Sequence, residues 1–169
     1  MAQRWHCAAT KPGRAPYANG NLVDQGFETY LPVLTVGEHT ELLFPNYVFI
    51  EFDRAADNWQ SINSTRGVRR LLPLHLELPE AIPDGFVDAL KARIEADEQK
   101  YREPKSPLPR LYKGDTVAIV MGPLLGFEAV ITVAKHDRIR AEVSLFGTKV
   151  EANIFRHQIE LVRRAQLAA

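Results

Sequence analysis

The chain of 169 residues lacks the features of secreted and membrane proteins. It has one cysteine, Cys7, so it cannot form an internal disulfide, and a reducing cytoplasm is its expected compartment. No apolar run approaches the roughly 20 residues that a membrane-spanning helix needs, so we expect no membrane partner. The segment from Trp5 to Ala9 is too short and too polar for a signal peptide. Cys7 lies in this apolar, strand-like segment, where a buried and inert thiol is expected.

The sequence also lacks the residue patterns of catalysis and metal binding. Its five histidines are scattered without ligand spacing, and one cysteine cannot complete a zinc motif. The segment 122–126 is not followed by a Lys-Ser/Thr pair, so it does not match a phosphate-binding loop. His6 and Cys7 are neighbours on one predicted strand, where their side chains point to opposite faces. We therefore expect no enzyme activity, no catalytic residue, no metal and no cofactor.

Charge of both signs is present, but it is unevenly distributed along the chain. Residues 1–100 hold 10 Lys and Arg against 14 Asp and Glu, whereas residues 101–169 hold 11 against 7. Within the acidic part, residues 1–23 and 58–76 contain no acid at all. If these two windows meet in the fold, they form a basic patch suited to a nucleic-acid backbone. Scattered, solvated arginines are the alternative.

The first hundred residues predict an α+β domain. Strands are expected at 5–9, 27–33, 47–52 and 68–72, with a loop or hairpin tip at 37–41. Helices are expected at 16–25, near Ile62 after a cap at Asp53 or Asp57, and beyond Pro83, where Phe86, Val87, Leu90 and Ile94 fall at helical spacing. Strands interleaved with helices indicate one antiparallel sheet with helices packed on it.

The remaining residues predict a second, all-β domain. Residues 101–110 hold three prolines and four charges, which is typical of a stiff, solvated linker. Short strands are then expected at 116–121, 129–134, 140–146, 150–154 and 159–162, a pattern that predicts a small closed β-barrel. The expected domain limits are thus 1–100, a linker at 101–110, a barrel at 111–163 and a tail at 164–169.

Several motifs carry a resemblance to one known family. The run Gly-Asp-Thr-Val followed by Gly-Pro-Leu-Leu-Gly-Phe, within 114–127, resembles the KOW motif of small SH3-like barrels, although Ala129 stands where that pattern usually has glycine. Phe-Pro-Asn-Tyr-Val-Phe at 44–49, Thr-Arg-Gly-Val at 65–68 and Ser-Leu-Phe-Gly at 144–147 resemble motifs of the NusG/RfaH family of transcription elongation and antitermination factors. The resemblance covers residues 3–163 in the family's order. It implies an NGN domain with an antiparallel sheet and packed helices, a proline-rich linker, and a five-stranded KOW barrel.

Within the family, two residues favour a specialised, RfaH-type paralogue. Asn46 stands where the general factor has glycine, and Arg66 stands where it usually has proline. Against this, Leu145-Phe146-Gly147 resembles the barrel of the general factor, so the chain combines features of both.

The resemblance implies a binding site for RNA polymerase. Phe44, Tyr47 and Phe49 match positions in an apolar depression that receives the tip of the polymerase clamp helices. An exposed aromatic cluster of this kind would need a partner to cover it. Tyr47 is the better contact residue, since its hydroxyl tolerates a wet rim, whereas Phe49 could instead be ordinary core.

The resemblance also implies a DNA-binding face. Lys11, Arg14, Thr65 and Arg66 match the surface that specialised members turn toward non-template DNA. Arginine offers paired donors for a guanine edge or a phosphate, while lysine acts as a point charge. Tyr17 replaces a basic residue of the best-known specialised member and could stack on an unpaired base. The alternative for Arg66 is a hydrogen bond to the neighbouring loop.

A third implied surface lies in the second domain. Leu145, Phe146 and Gly147 match the loop through which family members bind ribosomal protein NusE and, in the general factor, Rho. Thr148 replaces an arginine of that loop, so NusE is favoured over Rho. The resemblance thus implies a monomeric factor that suppresses pausing and termination and recruits the ribosome. The alternative is a KOW-type RNA-binding or ribosome-associated protein, which the basic second half supports.

Overall fold

The computed structural model describes residues 2–36, 38–73, 77–98, 109–136 and 138–166, and these residues have a mixed α and β fold. They form two compact units. Unit 1 comprises Met1–Pro32 and Phe44–Asp88, and unit 2 comprises Val33–Leu43 and Ala89–Ala169. The predicted linker lies mostly outside the described residues, because residues 101–108 are not among them. The predicted domain limits therefore stay a prediction.

The elements follow one another in a clear order along the described chain. Three helices are α1 (Ala15–Asp24), α2 (Gln60–Ser64) and α3 (Phe86–Glu98). The strands of the first part are β1 (Arg4–Thr10), β2 (Glu28–Tyr30), β3 (Val33–Val36), β4 (His39–Leu42), β5 (Tyr47–Phe52) and β6 (Val68–Leu71). Those of the second part are β7 (Thr116–Ile119), β8 (Glu128–Ala134), β9 (Arg138–Leu145), β10 (Thr148–Phe155) and β11 (Ile159–Arg163).

Unit 1 is built on a four-stranded antiparallel sheet in the order β2-β5-β1-β6. Alternate residues of β5 point to opposite faces. One face meets α1 and α2 in an apolar core, whose buried members include Leu22, Val48, Ile50, Phe52 and Ile62. Phe49 lies on the other face, paired in register with Cys7 of β1. Both faces of this sheet are therefore covered near its centre.

The environment of Cys7 confirms the expected inert thiol. Its side chain is buried, and burial raises the pKa of the thiol to about 12. A thiol protonated at neutral pH is a weak nucleophile, so Cys7 serves as a small apolar residue in the sheet.

Unit 2 is built on a five-stranded antiparallel sheet in the order β10-β9-β8-β7-β11. Buried residues alternate along its strands; in β9 they are Ile139, Ala141, Val143 and Leu145. The strand positions agree with the sequence prediction to within a few residues, whereas closure of the sheet into a barrel stays a prediction.

The hairpin of β3 and β4 belongs to unit 2 and is held there by polar contacts. The backbone N–H of Asn153, on β10, donates to the carbonyl of Leu43 at 2.8 Å, and its side-chain Nδ2 donates to the carbonyl of Leu42 at 2.9 Å. Arg138 of β9 forms an ion pair with Glu41. The loop or hairpin tip predicted at 37–41 is shorter than expected, because residues 39–42 form strand β4.

A buried carboxylate anchors the end of unit 2. Asp115 accepts hydrogen bonds from the backbone N–H groups of Tyr112 and Ala165 and from the guanidinium of Arg164. Burial alone would raise the pKa of Asp115, but these bonds and the charge of Arg164 outweigh it and hold the pKa below its usual value. The carboxylate thereby joins the segment before β7 to the residues that follow β11.

One local prediction was wrong. Helix α2 begins at Gln60 with Trp59 at its N-cap and no side-chain cap, so neither Asp53 nor Asp57 caps it. Asp53 Oδ1 accepts the N–H of Ala55 at 2.8 Å, and Asp57 Oδ2 accepts the N–H of Asp53 at 2.7 Å. The two carboxylates close their own turn because a short-range side-chain bond to the backbone competes with helix capping.

Candidate interaction surfaces

The aromatic residues predicted to bind polymerase lie at the start of β5 and just before it. Phe44 and Phe49 meet edge to face, with ring centroids 5.8 Å apart. Tyr30 from β2 stacks near Phe49 at 6.3 Å, and Phe86 from the start of α3 lies 6.5 Å from it. The alternation of β5 places the Tyr47 and Phe49 side chains on one face of the sheet. The sequence motif is therefore brought together as a single aromatic group.

The expectation that this group is exposed is wrong for two of its members. Phe44 and Phe49 are only 0% and 1% exposed, because each packs against other aromatic rings of the same unit. Tyr47 is partly exposed. A partner could therefore touch Tyr47 directly, whereas Phe44 and Phe49 could act on it only by supporting the surface from below.

The predicted DNA-binding residues assemble around one end of β1. The N–H of Lys11 donates to the carbonyl of Gly67 at 2.9 Å, and the N–H of Arg14 donates to the carbonyl of Lys11 at 3.0 Å. The first bond joins the loop after β1 to the loop before β6, and the second lies within the loop after β1. The two acid-free windows of the sequence thus meet, as the basic-patch interpretation requires.

Helix α1 supplies the aromatic part of the same surface. The Arg14 guanidinium lies 5.8 Å from the centroid of the Tyr17 ring, within the range of a cation–π contact. Tyr17 is 47% exposed, and Lys11, Arg14 and Arg66 are exposed as well. We name Lys11, Arg14, Tyr17 and Arg66 the basic face. It presents three cationic side chains and one open ring.

Thr65 does not belong to this exposed surface. Its side chain is buried, and its hydroxyl donates to the carbonyl of Ser61 at 3.0 Å and accepts from Gln25 Nε2 at 2.8 Å. The prediction of a direct DNA contact at Thr65 is therefore not supported by its position. Its hydroxyl already donates one hydrogen bond and accepts another inside unit 1. These two bonds join α2 to the end of α1.

Two residues outside the predicted site position the basic face. Asn21 Nδ2 donates to the carbonyl of Arg66 at 3.0 Å, which ties α1 to the 65–67 loop. Gly67 has φ of +91°, and a Cβ at this position would lie 3.0 to 3.2 Å from atoms of Ala18. The glycine of the Thr-Arg-Gly-Val motif was the available signal for this close approach, whereas no sequence pattern indicated the bond from Asn21.

The predicted ribosomal-protein site lies on the turn between β9 and β10. Leu145 and Thr148 pair across a two-residue loop of Phe146 and Gly147, which have φ of +53° and +73°. These values are typical of a type I′ hairpin turn, which usually carries asparagine and glycine. The Phe146 ring is only partly buried, so the strained turn presents an aromatic side chain at its tip.

Leu145 has a different role from its neighbours. Its side chain is 2% exposed and points into the core of the unit 2 sheet. The prediction that Leu145 contacts a partner is therefore corrected to a packing role beneath the turn. Phe146 and the exposed Gly147 are the residues of this loop that a partner can reach.

Two further observations concern metals and membranes. Within the described ranges, no group of three or more His, Cys, Asp or Glu residues could hold a metal ion. No helix among the described residues is long and apolar enough to cross a membrane.

Comparison with protein families gives a match over just over half of the chain. The family described as NusG, transcription termination factor, matches residues 3–91. This chain belongs to the NusG family. The matched range contains the basic face and the aromatic group, and the match does not favour the alternative interpretation as a KOW-type RNA-binding protein.

Individual members of the NusG family align over most of the chain. The transcription termination/antitermination protein NusG of Pseudomonas aeruginosa is 26% identical over 96% of this chain and 100% of its own length. The NusG protein of Thermus thermophilus is 23% identical over 91% of this chain and 96% of its own length. A solved structure of Thermotoga maritima NusG covers 96% of this chain and 99% of its own, with a TM-score of 0.54 and 21% identity, which supports the fold.

Proposed function

We propose that this protein is a transcription elongation and antitermination factor of the specialised, RfaH type. In this proposal, unit 1 binds the RNA polymerase clamp and non-template DNA and thereby suppresses pausing and termination. Unit 2 recruits ribosomal protein NusE, or else Rho. The protein would act as a cytoplasmic monomer without enzymatic activity, arranged as an NGN domain, a linker and a KOW barrel. Family membership and the names of its relatives support the general role.

The basic face is the observation that carries the DNA-binding part. It combines cations that suit phosphates with an exposed ring that suits an unpaired base. The backbone hydrogen bond from Lys11 to Gly67 joins two windows that are far apart in sequence, so the fold fixes the backbone that carries the cations. A surface built in this way favours a single strand over a duplex, because only an unpaired base offers its face for stacking.

The aromatic group supports the polymerase-binding part. Tyr47 would make the direct contact, on the same face of the sheet as Phe49, which forms a buried edge-to-face pair with Phe44. A tyrosine at the centre of an interface commonly contributes a large share of binding energy. The strained Phe146-Gly147 turn supports the third part, because an aromatic residue at φ of +53° is unfavourable for stability and is typically retained for function.

The DNA-binding part is tested by titrating the full chain into labelled single-stranded DNA. Replacing Arg14 or Arg66 with glutamine is expected to weaken binding about tenfold, because each change removes a charge-assisted bond to DNA. The slope of log affinity against log salt should also decrease by about 0.7 for each phosphate that the variant no longer neutralises.

The control is Arg163→Gln, which removes an exposed arginine from β11 of unit 2. We expect this variant to bind DNA like the original protein. If Arg14→Gln and Arg66→Gln bind as tightly as the control, the basic face is not a DNA-binding site. If only Arg163→Gln weakens binding, nucleic-acid binding belongs to unit 2.

A further inference from the structure

Tyr30 is an aromatic residue that no sequence motif singled out, and it lies beside the predicted polymerase site. It is the last residue of β2, which stands at one end of the strand order β2-β5-β1-β6. In the register of β2 and β5, Tyr30 is directly opposite Phe49. Directly opposite residues of an antiparallel pair point to the same face, so Tyr30 shares the face that carries Phe49 and Tyr47.

The ring of Tyr30 packs on the ring of Phe49. Their centroids are 6.3 Å apart and their planes differ by 26°, within the range in which aromatic pairs attract each other. Phe49 is only 1% exposed, whereas Tyr30 is partly exposed. Tyr30 therefore packs against a buried ring and still presents part of its own surface to solvent.

The opposite face of the same strands holds the apolar core of unit 1. On β5, Val48 and Ile50 belong to the core that also contains residues of α1 and α2. Thr29 is opposite Ile50 in the register, so alternation assigns Thr29 to the core face and Tyr30 to the other face. The two neighbouring residues of β2 thus separate the two faces of the sheet.

Tyr30 and Tyr47 are close enough for one partner to cover both. Tyr47 precedes Phe49 by two residues on β5, which makes it the diagonal neighbour of Tyr30 across the two strands. Diagonal neighbours lie roughly 7–8 Å apart. A specific interface buries roughly 800 Å² on each partner, which is a patch far wider than this spacing. A partner that covers Tyr47 on this face therefore also reaches Tyr30.

The packing of the rings favours binding through both tyrosines. Phe49 contacts the rings of Phe44 at 5.8 Å and Phe86 at 6.5 Å, so Tyr30 rests on a group of packed rings. A side chain that is already held in place loses less conformational freedom when a partner binds. Tyrosine also combines a large apolar ring with a polar tip, and it is enriched among the residues that contribute most to binding.

We propose that Tyr30 is a second contact residue for RNA polymerase, in addition to Tyr47. The two tyrosines, from β2 and β5, form one aromatic surface that packs against an apolar side chain of the polymerase clamp. Phe49 is a positioning residue, because its buried ring supports the ring of Tyr30. This inference rests on the polymerase-binding part of the proposed function and adds to it a residue outside the predicted site.

The first test measures the affinity of the full chain for a reconstituted RNA polymerase elongation complex. Tyr30→Ala should weaken binding about fivefold, because it removes a ring from the contact surface. The matched control is Thr29→Ala, which truncates the neighbouring residue on the opposite face of β2 and should leave the affinity unchanged. Urea unfolding of both variants shows whether each is folded under the binding conditions.

A second test keeps a ring at the position and does not depend on the stability of an alanine variant. The photo-crosslinking amino acid p-benzoylphenylalanine replaces Tyr30, Tyr47 or Thr29, one at a time, and each protein is irradiated together with the elongation complex. The substituted positions of Tyr30 and Tyr47 should crosslink to the polymerase, whereas that of Thr29 should not.

The outcomes separate this inference from the proposal on which it rests. The inference alone is overturned if Tyr30→Ala binds as tightly as Thr29→Ala while Tyr47→Ala binds more weakly. It is also overturned if the position of Tyr47 crosslinks and that of Tyr30 does not. If neither position crosslinks and Tyr47→Ala binds like the original protein, the polymerase-binding proposal and this inference are both wrong.

Discussion

At the residue scale, the backbone strain at Phe146 can be measured separately from the packing of its ring. The two-residue loop between β9 and β10 requires positive φ at both positions, and Gly147 provides this without cost. Phe146 adopts φ of +53°, a conformation that is unfavourable by about 1–2 kcal/mol for an ordinary L-residue. Asparagine tolerates this region much better, since its short polar side chain bonds locally.

We predict that Phe146→Asn is more stable than Phe146→Ala by about 1 kcal/mol. Both changes remove the ring, but only asparagine relieves the backbone strain. Urea unfolding of the full chain measures the difference, and Phe146→Ala serves as the matched control. Equal stability of the two variants would show that the turn is not strained.

At the scale of secondary-structure elements, the packing of α1 on the 65–67 loop determines where the basic face lies. Gly67 allows the loop to approach the backbone of Ala18, and Asn21 then bonds to the carbonyl of Arg66. The cations of the basic face are placed by this packing, since Lys11 also donates to the Gly67 carbonyl.

Gly67→Ala is expected to destabilise the protein by at least about 2 kcal/mol, from left-handed strain plus the close approach to Ala18. The control is Gly13→Ala, which has φ of +68° but open space around its Cβ and should show strain alone. Urea unfolding gives the stabilities, and DNA titration shows whether the basic face is displaced. An equal loss of stability in both variants would contradict the close-approach explanation.

Sequence patterns predicted well those elements whose secondary structure is determined by their own residues. Strand β5 runs from Tyr47 to Phe52 as predicted, because its β-branched and aromatic run has few other stable conformations. Helix α3 begins at Phe86, shortly after Pro83, and buries Val87, Leu90 and Ile94, as the spacing indicated. The cap of α2 was mispredicted because Asp53 had a nearer backbone partner, a competition that spacing does not resolve.

At the scale of the whole molecule, burial was the property that the sequence predicted least well. The motifs containing Phe49 and Thr65 were recognised, but neither side chain is exposed. Alternation along a strand assigns each side chain to one face of the sheet. It does not show whether residues distant in sequence, such as Phe86, cover that face.

The proposed role requires that an otherwise ordinary α and β protein bind the transcribing polymerase through a small surface. Of the three residues predicted to bind polymerase, Tyr47 alone is partly exposed, so it is the residue on which polymerase affinity should depend most.

The most direct measurement is the affinity of the full chain for a reconstituted RNA polymerase elongation complex. Tyr47→Ala should weaken binding about tenfold or more while the urea midpoint stays close to that of the original protein. Tyr112→Ala, which removes a tyrosine 52% exposed in unit 2, should bind normally. Equal affinity of Tyr47→Ala and Tyr112→Ala for the complex would contradict the account.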